Sequence, residues 1–237
     1  PMFNGGAAIT SYTATCGTQS ASGPGSPLNV TGLTNFVSVN CSVTATNSVG
    51  TSAPSASVSV TPQPALTLVS ALSHKIHDSA GPFNLGIDIT APIGGAVTVE
   101  PRAIGAGHTV IMQFNVPITS VGSATVVDAS SAPAGTATAT TIANQVTVTL
   151  TGVADNKRVT VLLSGINGSG SASVSIGFLL GDTNNSRSVD ATDVSAVRAR
   201  AGQPVDGGNF QFDLNASGVI TAADIAAVKA RSGTTLP

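Results

Sequence analysis

Residues 182–202 of the chain read DTNNSRSVDATDVSAVRARAG, and residues 213–233 read DLNASGVITAADIAAVKARSG. The two stretches align without a gap, 31 residues apart, and ten of the 21 positions are identical. Both have Asp at position 1, Asn at position 3, Ser at position 5 and Asp at position 12. We interpret this duplication as two copies of one structural unit.

The shared positions are those at which a 12-residue loop binds Ca2+. Such a loop supplies oxygen atoms from the side chains at positions 1, 3, 5 and 12 and from the backbone carbonyl at position 7. A single Asp- and Asn-rich stretch is equally consistent with an ordinary turn, but two in register predict two Ca2+ ions, one in each loop. The predicted ligands are Asp182, Asn184, Ser186, Ser188, Asp190 and Asp193 in the first loop, and Asp213, Asn215, Ser217, Val219 and Asp224 in the second.

A helix is expected after each loop. Position 12 opens an Ala-rich segment with apolar residues at helical spacing, and Gly202 and Gly233 are the predicted C-caps. No matching helix is expected before either loop. A loop followed by an exit helix, present twice, resembles the type I dockerin domain of cellulosome and related bacterial surface proteins. The resemblance covers residues 181–233.

The dockerin resemblance implies a small calcium-folded module that binds a cohesin-type β-sandwich through its helices. The chain departs from the dockerin pattern by Ser at position 5 of both loops, by Arg187 at position 6 of the first loop, and by Ala-Thr or Ala-Ala at positions 10 and 11. Each helix carries a basic pair near its end, and we predict that these pairs contact the partner. The alternative is that the cations only complement the helix dipole. The pairs are Arg198 with Arg200 and Lys229 with Arg231.

The first 62 residues contain no charged side chain and alternate in strand fashion at 8–16, 27–30, 36–46 and 56–60. The run GLTN at 32–35, followed by CSVTATNSVGTSAPS at 41–55, resembles the second half of a fibronectin type III domain, without the first two strands. Either the chain is part of a longer one or another subunit donates strands. The resemblance places Cys16 and Cys41 on neighbouring strands, which implies a disulfide between them.

Residues 63–180 are predicted to form a second β-sandwich, because about eight strand-like runs are separated by Gly-, Pro- and Asn-rich joints. These runs include 66–72, 83–89, 109–114, 145–150, 158–163 and 171–178. The predicted fold class is therefore mostly β. It comprises a partial fibronectin III sandwich at 1–62, an antiparallel β-sandwich at 63–180, and a small α-helical dockerin-like C-terminal domain with two calcium loops at 181–237.

The sequence contains no recognisable catalytic constellation, and we predict that the chain is not an enzyme. It has no Gly-x-Ser-x-Gly elbow and no phosphate-binding loop. His74, His77 and Asp78 could form a metal cluster, but we interpret this stretch as a solvated turn. We interpret His108 as a strand-edge residue. Glu100 and Arg102 are candidates for a structural ion pair inside the sandwich.

Composition excludes several partners. Lys, Arg, Asp and Glu make up only 8% of the chain and the formal net charge is −2, so no basic patch is available for nucleic acid. One Tyr, seven Phe and no Trp offer no aromatic platform for carbohydrate. Polar residues interrupt every apolar run, so no membrane span is predicted. Together with the calcium loops, these features predict a secreted or cell-surface protein. We expect any signal peptide either to have been removed already or to lie upstream.

The predicted function is that of a non-catalytic extracellular assembly or scaffold protein of bacterial type. Its dockerin-like end would mediate a protein-protein interaction with a cohesin-like β-sandwich surface or with another copy of the chain. One alternative is the repeating subunit of an extracellular filament or sheath, with the incomplete fibronectin module completed by a neighbouring subunit. The other is the C-terminal accessory region of a secreted polysaccharide hydrolase.

Overall fold

A computed structural model describes residues 4–105 and 107–237 of the chain. Within these ranges the protein is mostly β, with thirteen strands in three sheets and two short α-helices. The chain divides into two compact units between Ala65 and Leu66. The sandwich and the duplicated loops thus belong to one compact unit, while a finer boundary near residue 180 stays a prediction.

The first unit is a single four-stranded sheet. Its strands are β1 (Ser11–Cys16), β2 (Gln19–Gly23), β3 (Val39–Thr46) and β4 (Val58–Val60), in the order β2-β1-β3-β4. Opposite residues share a face, and the register places Tyr12 opposite Ala45, and Ala14 opposite Val43. One face is therefore apolar and the other consists almost entirely of Ser and Thr, as a period of two requires.

The predicted disulfide is confirmed, because Cys16 and Cys41 are bonded across the β1–β3 pair. The strand predicted at 27–30 is wrong: no strand forms there. Of residues 4–65, only Cys16 is classed as buried. This unit has a sheet and a covalent link, but within its described residues no second layer covers the apolar face.

The second unit contains a two-sheet sandwich. The strands are β5 (Leu68–His77), β6 (Gly81–Ile87), β7 (Thr98–Glu100), β8 (His108–Phe114), β9 (Ser123–Asp128), β10 (Thr136–Ile142), β11 (Gln145–Thr151), β12 (Lys157–Ile166) and β13 (Gly170–Phe178). One sheet has the order β10-β11-β8-β5-β6, and the other has the order β7-β13-β12-β9. All neighbours are antiparallel except β7 and β13, which are parallel.

Alternate residues of the central strands fill the space between the two sheets. Val110 and Met112 of β8 and Val159 and Val161 of β12 are fully buried in one cluster. This is the inward-facing alternation expected when two sheets pack face to face. The six strand runs predicted between 66 and 178 are confirmed, and β5 is longer than predicted.

The last part of the chain forms helices α1 (Ala191–Arg198) and α2 (Ala222–Arg231). Gly233 directly follows the C-cap of α2, with a φ of 89°. The predicted C-cap at Gly202 is wrong, since α1 ends at Arg198 and residues 199–202 form a turn. Neither described helix is long and apolar enough to cross a membrane.

A second apolar cluster joins the helices to the sandwich. Val97 and Val99, which flank the start of β7, pack with Val197 of α1 and Val228 of α2. A Cβ at Gly177 would lie 2.4 Å from Leu236, so the end of the chain presses directly on β13. The helical module therefore shares its core with one edge of the sandwich.

Candidate metal centre

Hydrogen bonds to Asp182 and Asp193, the first and last residues of the first loop, close this loop. Asp182 Oδ1 accepts a hydrogen bond from the Ser186 amide at 2.9 Å, and Asp182 Oδ2 accepts one from the Arg187 amide at 2.7 Å. Asp193 Oδ1 accepts from the Thr183 amide at 2.9 Å, which ties position 12 back to position 2. The loop thereby closes on itself through its first and last residues.

The second loop repeats the hydrogen bonds to position 1, while its position 12 accepts from position 3 rather than from position 2. Asp213 Oδ1 accepts from the Ser217 amide at 3.0 Å, and Asp213 Oδ2 accepts from the Gly218 amide at 2.8 Å. Asp224 Oδ1 accepts from the Asn215 amide at 3.2 Å. The sequence duplication is therefore a structural duplication.

The oxygen atoms of each loop have the spacing of ligands around one ion. Ser186 Oγ lies 3.4 Å from Asp182 Oδ1 and 2.9 Å from the Ser188 carbonyl oxygen. In the second loop Ser217 Oγ lies 3.4 Å from Asp213 Oδ1 and 3.1 Å from the Val219 carbonyl oxygen. Neighbouring oxygens that bind one Ca2+ at 2.3 to 2.6 Å lie roughly 3 to 3.5 Å apart. Both loops fit Ca2+ by this criterion.

Burial of like charges points the same way. Asp182 and Asp193 are almost completely buried, at 1% and 0% exposure. Burial raises the pKa of Asp182 above its ordinary range, and the Asp193 carboxylate acts in the same direction, against the hydrogen bonds from the loop backbone. A divalent cation between the two carboxylates would compensate this repulsion.

Each loop combines two buried carboxylates with amide, hydroxyl and carbonyl oxygens. For this reason no three His, Cys, Asp or Glu side chains converge as a metal cluster within residues 4–105 and 107–237. Asp190 is occupied at the helix start, where it caps α1 and accepts from the Thr192 amide at 2.7 Å. Its predicted role as a ligand stays a prediction, as does the number of ions bound.

The second loop is joined to the sandwich by a buried histidine. His77, the last residue of β5, lies 2.7 Å through Nδ1 from Asp213 Oδ2, and both side chains are fully buried. The interpretation of residues 74–78 as a solvated turn was therefore wrong for His77. The strand continues five residues beyond its predicted end, and His77 points to the same side as the buried Ala71 and Ser73.

The tautomer of His77 follows from its second neighbour. Its Nε2 lies 3.1 Å from Arg102 Nη1, and a guanidinium can only donate. Nε2 therefore accepts, so the imidazole is neutral and Nδ1–H donates to Asp213 Oδ2. Burial lowers the pKa of His77, although the Asp213 carboxylate acts in the opposite direction. His77 is therefore a candidate functional residue that sequence reasoning did not identify.

Arg102 holds the histidine in place. Its Nε and Nη2 donate to the two oxygens of Glu100 at 2.6 and 2.7 Å, so the predicted ion pair is confirmed. Nη1 also donates to the Phe83 carbonyl at 3.2 Å, and the guanidinium lies 5.1 Å from the centre of the Phe210 ring. Burial acts to raise the pKa of Glu100, but Arg102, together with His108 and Ser73, holds this pKa below its usual range.

Behind this pair lies a second buried contact. Ser73 Oγ is hydrogen bonded to Glu100 and lies 2.6 Å from His108 Nε2. The prediction that His108 is a strand-edge residue is wrong, because its side chain is fully buried. Burial lowers the pKa of His108 to about 4. Ser73 and His108 meet Glu100 here inside the sandwich, and both stabilise its carboxylate.

The first loop has a more open environment. Among the described residues, β7 makes one hydrogen bond to this loop, in which Val99 N–H donates to Asn185 Oδ1 at 2.7 Å. Asn185 is not a predicted ligand. Asn184, Asn185 and Ser186 are exposed. Arg187 occupies position 6 with a φ of 67°, a conformation that favours glycine.

The four cations predicted to meet a partner fall into two groups. Arg200 lies 3.8 Å over the Phe212 ring and donates to the Ala196 carbonyl, and Arg231 lies 3.0 Å from Asp155 of the sandwich. Arg198 and Lys229 are exposed. The structure thus brings Arg200 and Arg231 into contacts within the chain and leaves Arg198 and Lys229 on the surface.

Comparison with known proteins identifies one region. Residues 180–231 match the family described as Dockerin type I domain, which confirms the resemblance predicted for 181–233. This match covers less than a quarter of the chain. No curated protein and no solved structure matches the chain. The fibronectin type III resemblance of residues 1–62 stays a prediction.

Dockerin domains bind calcium and act in protein-protein interaction, with cohesin as the partner type. They are typical of secreted or cell-surface proteins. The matched residues contain both loops and the whole of the two helices described above. The C-terminal region is accordingly similar to the Dockerin type I domain over both loops and both helices.

Proposed function

We propose that the chain is a non-catalytic extracellular assembly protein whose dockerin-type module binds two Ca2+ ions and attaches to another protein. The observation that carries this proposal is the duplicated loop geometry. The two loops have the same hydrogen bonds to the position-1 carboxylate, and each loop is followed directly by a helix. A surface built on this duplication is available for docking.

The outward helix faces support a protein partner. Ala191 and Thr192, and the equivalent Ala222 and Ala223, are exposed at loop positions 10 and 11. Small side chains at these positions allow a flat partner to approach closely. The exposed cations Arg198 and Lys229 lie at the other end of the two helices. The complementary surface is an acidic or carbonyl-rich face of a cohesin-type β-sandwich.

Calorimetric titration of the whole chain with Ca2+ tests the calcium part. We expect two sites in the parent and one in each of the variants Asp182→Ala and Asp213→Ala. Circular dichroism in chelator should show partial loss of helix, because such sites rarely form fully without the ion. Absence of binding at millimolar Ca2+ would overturn the proposal.

The partner part is tested by capture of a cohesin domain on the immobilised chain, in calcium and in chelator. Arg198→Glu combined with Lys229→Glu should abolish capture and leave calcium binding unchanged. A matched control is the pair Ser195→Ala and Ala226→Ser, which alters exposed helix positions without changing charge. Equal capture by the parent and the charge-reversed variant would remove these helices from the interface.

Self-assembly is a second candidate, and the open sheet of the first unit favours it. Val43, Val58 and Val60 of its apolar face are 40%, 61% and 40% exposed. Exposed apolar patches of this kind mark interaction sites. Sedimentation velocity over a range of concentrations should show association that Val43→Thr with Val58→Thr reduces. A parent chain that stays monomeric throughout would exclude this candidate.

A further inference from the structure

The first predicted ligand of the second loop is fixed from outside the loop. Asp213 Oδ2 accepts from the Gly218 amide at 2.8 Å and from His77 at 2.7 Å. These two donors leave Asp213 Oδ1 directed to the loop interior, beside Ser217 Oγ. A carboxylate with one oxygen held by two donors has lost most of its rotational freedom.

The equivalent carboxylate of the first loop lacks such a donor. Asp182 Oδ2 accepts from the Arg187 amide, and Asp182 Oδ1 accepts from Ser186. The sandwich reaches this loop through Val99 and Asn185 instead. Only the second loop thus has a predicted ligand held by a side chain of β5, within the contacts of the described residues.

His77 is itself rigidly held. Its ring lies edge-on to Phe83 at 5.3 Å and to Phe210 at 6.4 Å between ring centres. Phe83 and Phe210 stack at 5.5 Å, so one ring from β6 and one from the module pack beside the imidazole. Arg102 fixes the other nitrogen. Because His77 is held by these contacts, it restricts the Asp213 side chain before any ion binds. Asp213 therefore loses less conformational freedom on binding an ion.

We propose that His77 is a positioning residue of the second calcium site, so that the sandwich supplies part of the outer shell of a metal centre in the dockerin-type module. This inference rests on the proposed calcium binding. It predicts that the second loop binds Ca2+ more tightly than the first, although the first has one more carboxylate. Calcium in the second loop also stabilises the junction between module and sandwich, because one hydrogen-bond network serves both.

Site-resolved titration of the whole chain with chelator-buffered Ca2+ tests the proposal. The amide resonances of Arg187 and Gly218 report the two loops separately, since each donates to the position-1 carboxylate of its own loop. His77→Phe keeps the ring and removes the donor. Loss of an outer-shell hydrogen bond weakens metal affinity by about 10- to 100-fold, and we expect this at the second loop alone.

His77→Asn is the matched rescue, because its amide nitrogen occupies the place of Nδ1 and still donates. We expect it to restore second-loop affinity to within about threefold of the parent. An unchanged second loop in His77→Phe, or equal weakening of both loops, would overturn the proposal. If His77→Phe fails to fold, the order of the two affinities in the parent decides, and a tighter first loop overturns it. A parent that binds no Ca2+ would instead remove the proposed function.

Discussion

The two calcium loops are nearly identical inside and different outside. In both loops the amides at positions 5 and 6 donate to the carboxylate at position 1. The carboxylate at position 12 accepts from position 2 in the first loop and from position 3 in the second. The second loop packs against the sandwich, with Ala216 and Gly218 buried, while Asn185 of the first loop is exposed. Duplication in sequence therefore fixed the ligand geometry, and packing made the two copies unequal.

Small residues at positions 4 and 6 allow the close approach of the second loop. A Cβ at Gly218 would lie 3.1 Å from the His77 carbonyl oxygen and 3.5 Å from Ala80. The first loop has Asn185 and Arg187 at these positions, and both are too large for the same contact. The side chains that do not bind the ion thus decide which loop meets the sandwich.

Removal of Arg102 should have the largest effect on this difference. Arg102 is 1% exposed, and its loss leaves the buried Glu100 carboxylate without its guanidinium partner. Breaking such a pair costs about 3 to 5 kcal/mol. We expect Arg102→Ala to lower the free energy of unfolding by that amount in urea denaturation. Hydrogen exchange at the Gly218 amide should rise more than at Arg187.

The exposed Arg198 provides the control for this substitution. Arg198→Ala should change the unfolding free energy by no more than about 0.5 kcal/mol. A similar loss in both variants would mean that charge in general, rather than the buried network behind the second loop, sets the stability.

Acid should weaken the sandwich side of the junction next most strongly. The pKa of His108 is about 4 in the folded protein because of burial, and Glu100, Lys75 and Arg102 lie nearby. The unfolded value is about 6.5, so between these values the unfolded chain binds a proton that the folded chain does not. Stability is then complete above pH 6.5 and decreases toward pH 4, by on the order of 3 kcal/mol.

Urea unfolding at several pH values between 7 and 4.5 measures this slope. His108→Gln removes the titrating group while an amide can still bond to Ser73, so the slope should flatten by about one proton. A variant with the parent slope would assign the acid sensitivity to another group.

In chelator, replacing the two position-1 carboxylates by Ala should lower the free energy of unfolding by amounts that differ by about 2 kcal/mol. Asp213→Ala leaves the buried His77 and Gly218 donors without an acceptor, and an unsatisfied buried donor costs about 1 to 3 kcal/mol. Asp182→Ala also removes backbone acceptors, but it relieves the repulsion from Asp193. We expect a clear loss of unfolding free energy for Asp213→Ala and a small one for Asp182→Ala. Equal losses would show that the loops are energetically alike without the ion.

The helices after the two loops and the strands between 66 and 178 were predicted correctly from local sequence. The 12-residue spacing brings carboxylate, amide and hydroxyl groups together in one short loop, so the internal geometry of each loop follows from the sequence pattern. Alternation over the runs between 66 and 178 predicted the strands, because each strand buries one side of its pleat. The disulfide was implied by the fibronectin III resemblance, which places Cys16 and Cys41 on neighbouring strands.

The contact that distinguishes the loops could not be predicted in this way. His77 and Asp213 are 136 residues apart, and no local pattern links them. A signal was nevertheless present: continued alternation from Ala71 and Ser73 places His77 on the inner face of β5. The strand predicted at 27–30 does not form, because alternation alone does not supply the neighbour that a strand needs for its backbone groups, and these residues pair with none of the described strands.

The smallest expected effect concerns position 6 itself, and the two loops should respond with opposite sign. Arg187 has a φ of 67°, where a residue with a Cβ is strained by about 1 to 2 kcal/mol. Glycine removes this strain, but it also makes the unfolded chain more flexible, which lowers the free energy of unfolding by about 0.4 to 1 kcal/mol. Arg187→Gly should therefore raise the unfolding free energy in saturating Ca2+ by about 0.5 kcal/mol.

The reciprocal change at Gly218, Gly218→Ala, introduces strain at a φ of 85° and a Cβ close to the His77 carbonyl. Since neither the backbone of β5 nor the loop can move without disturbing the His77 hydrogen bond, we expect a loss of about 1 kcal/mol or more. Urea unfolding of both variants measures the pair. If Arg187→Gly destabilises the protein, contacts of the Arg187 side chain outweigh its backbone strain, and the first loop is more firmly packed than its exposure indicates.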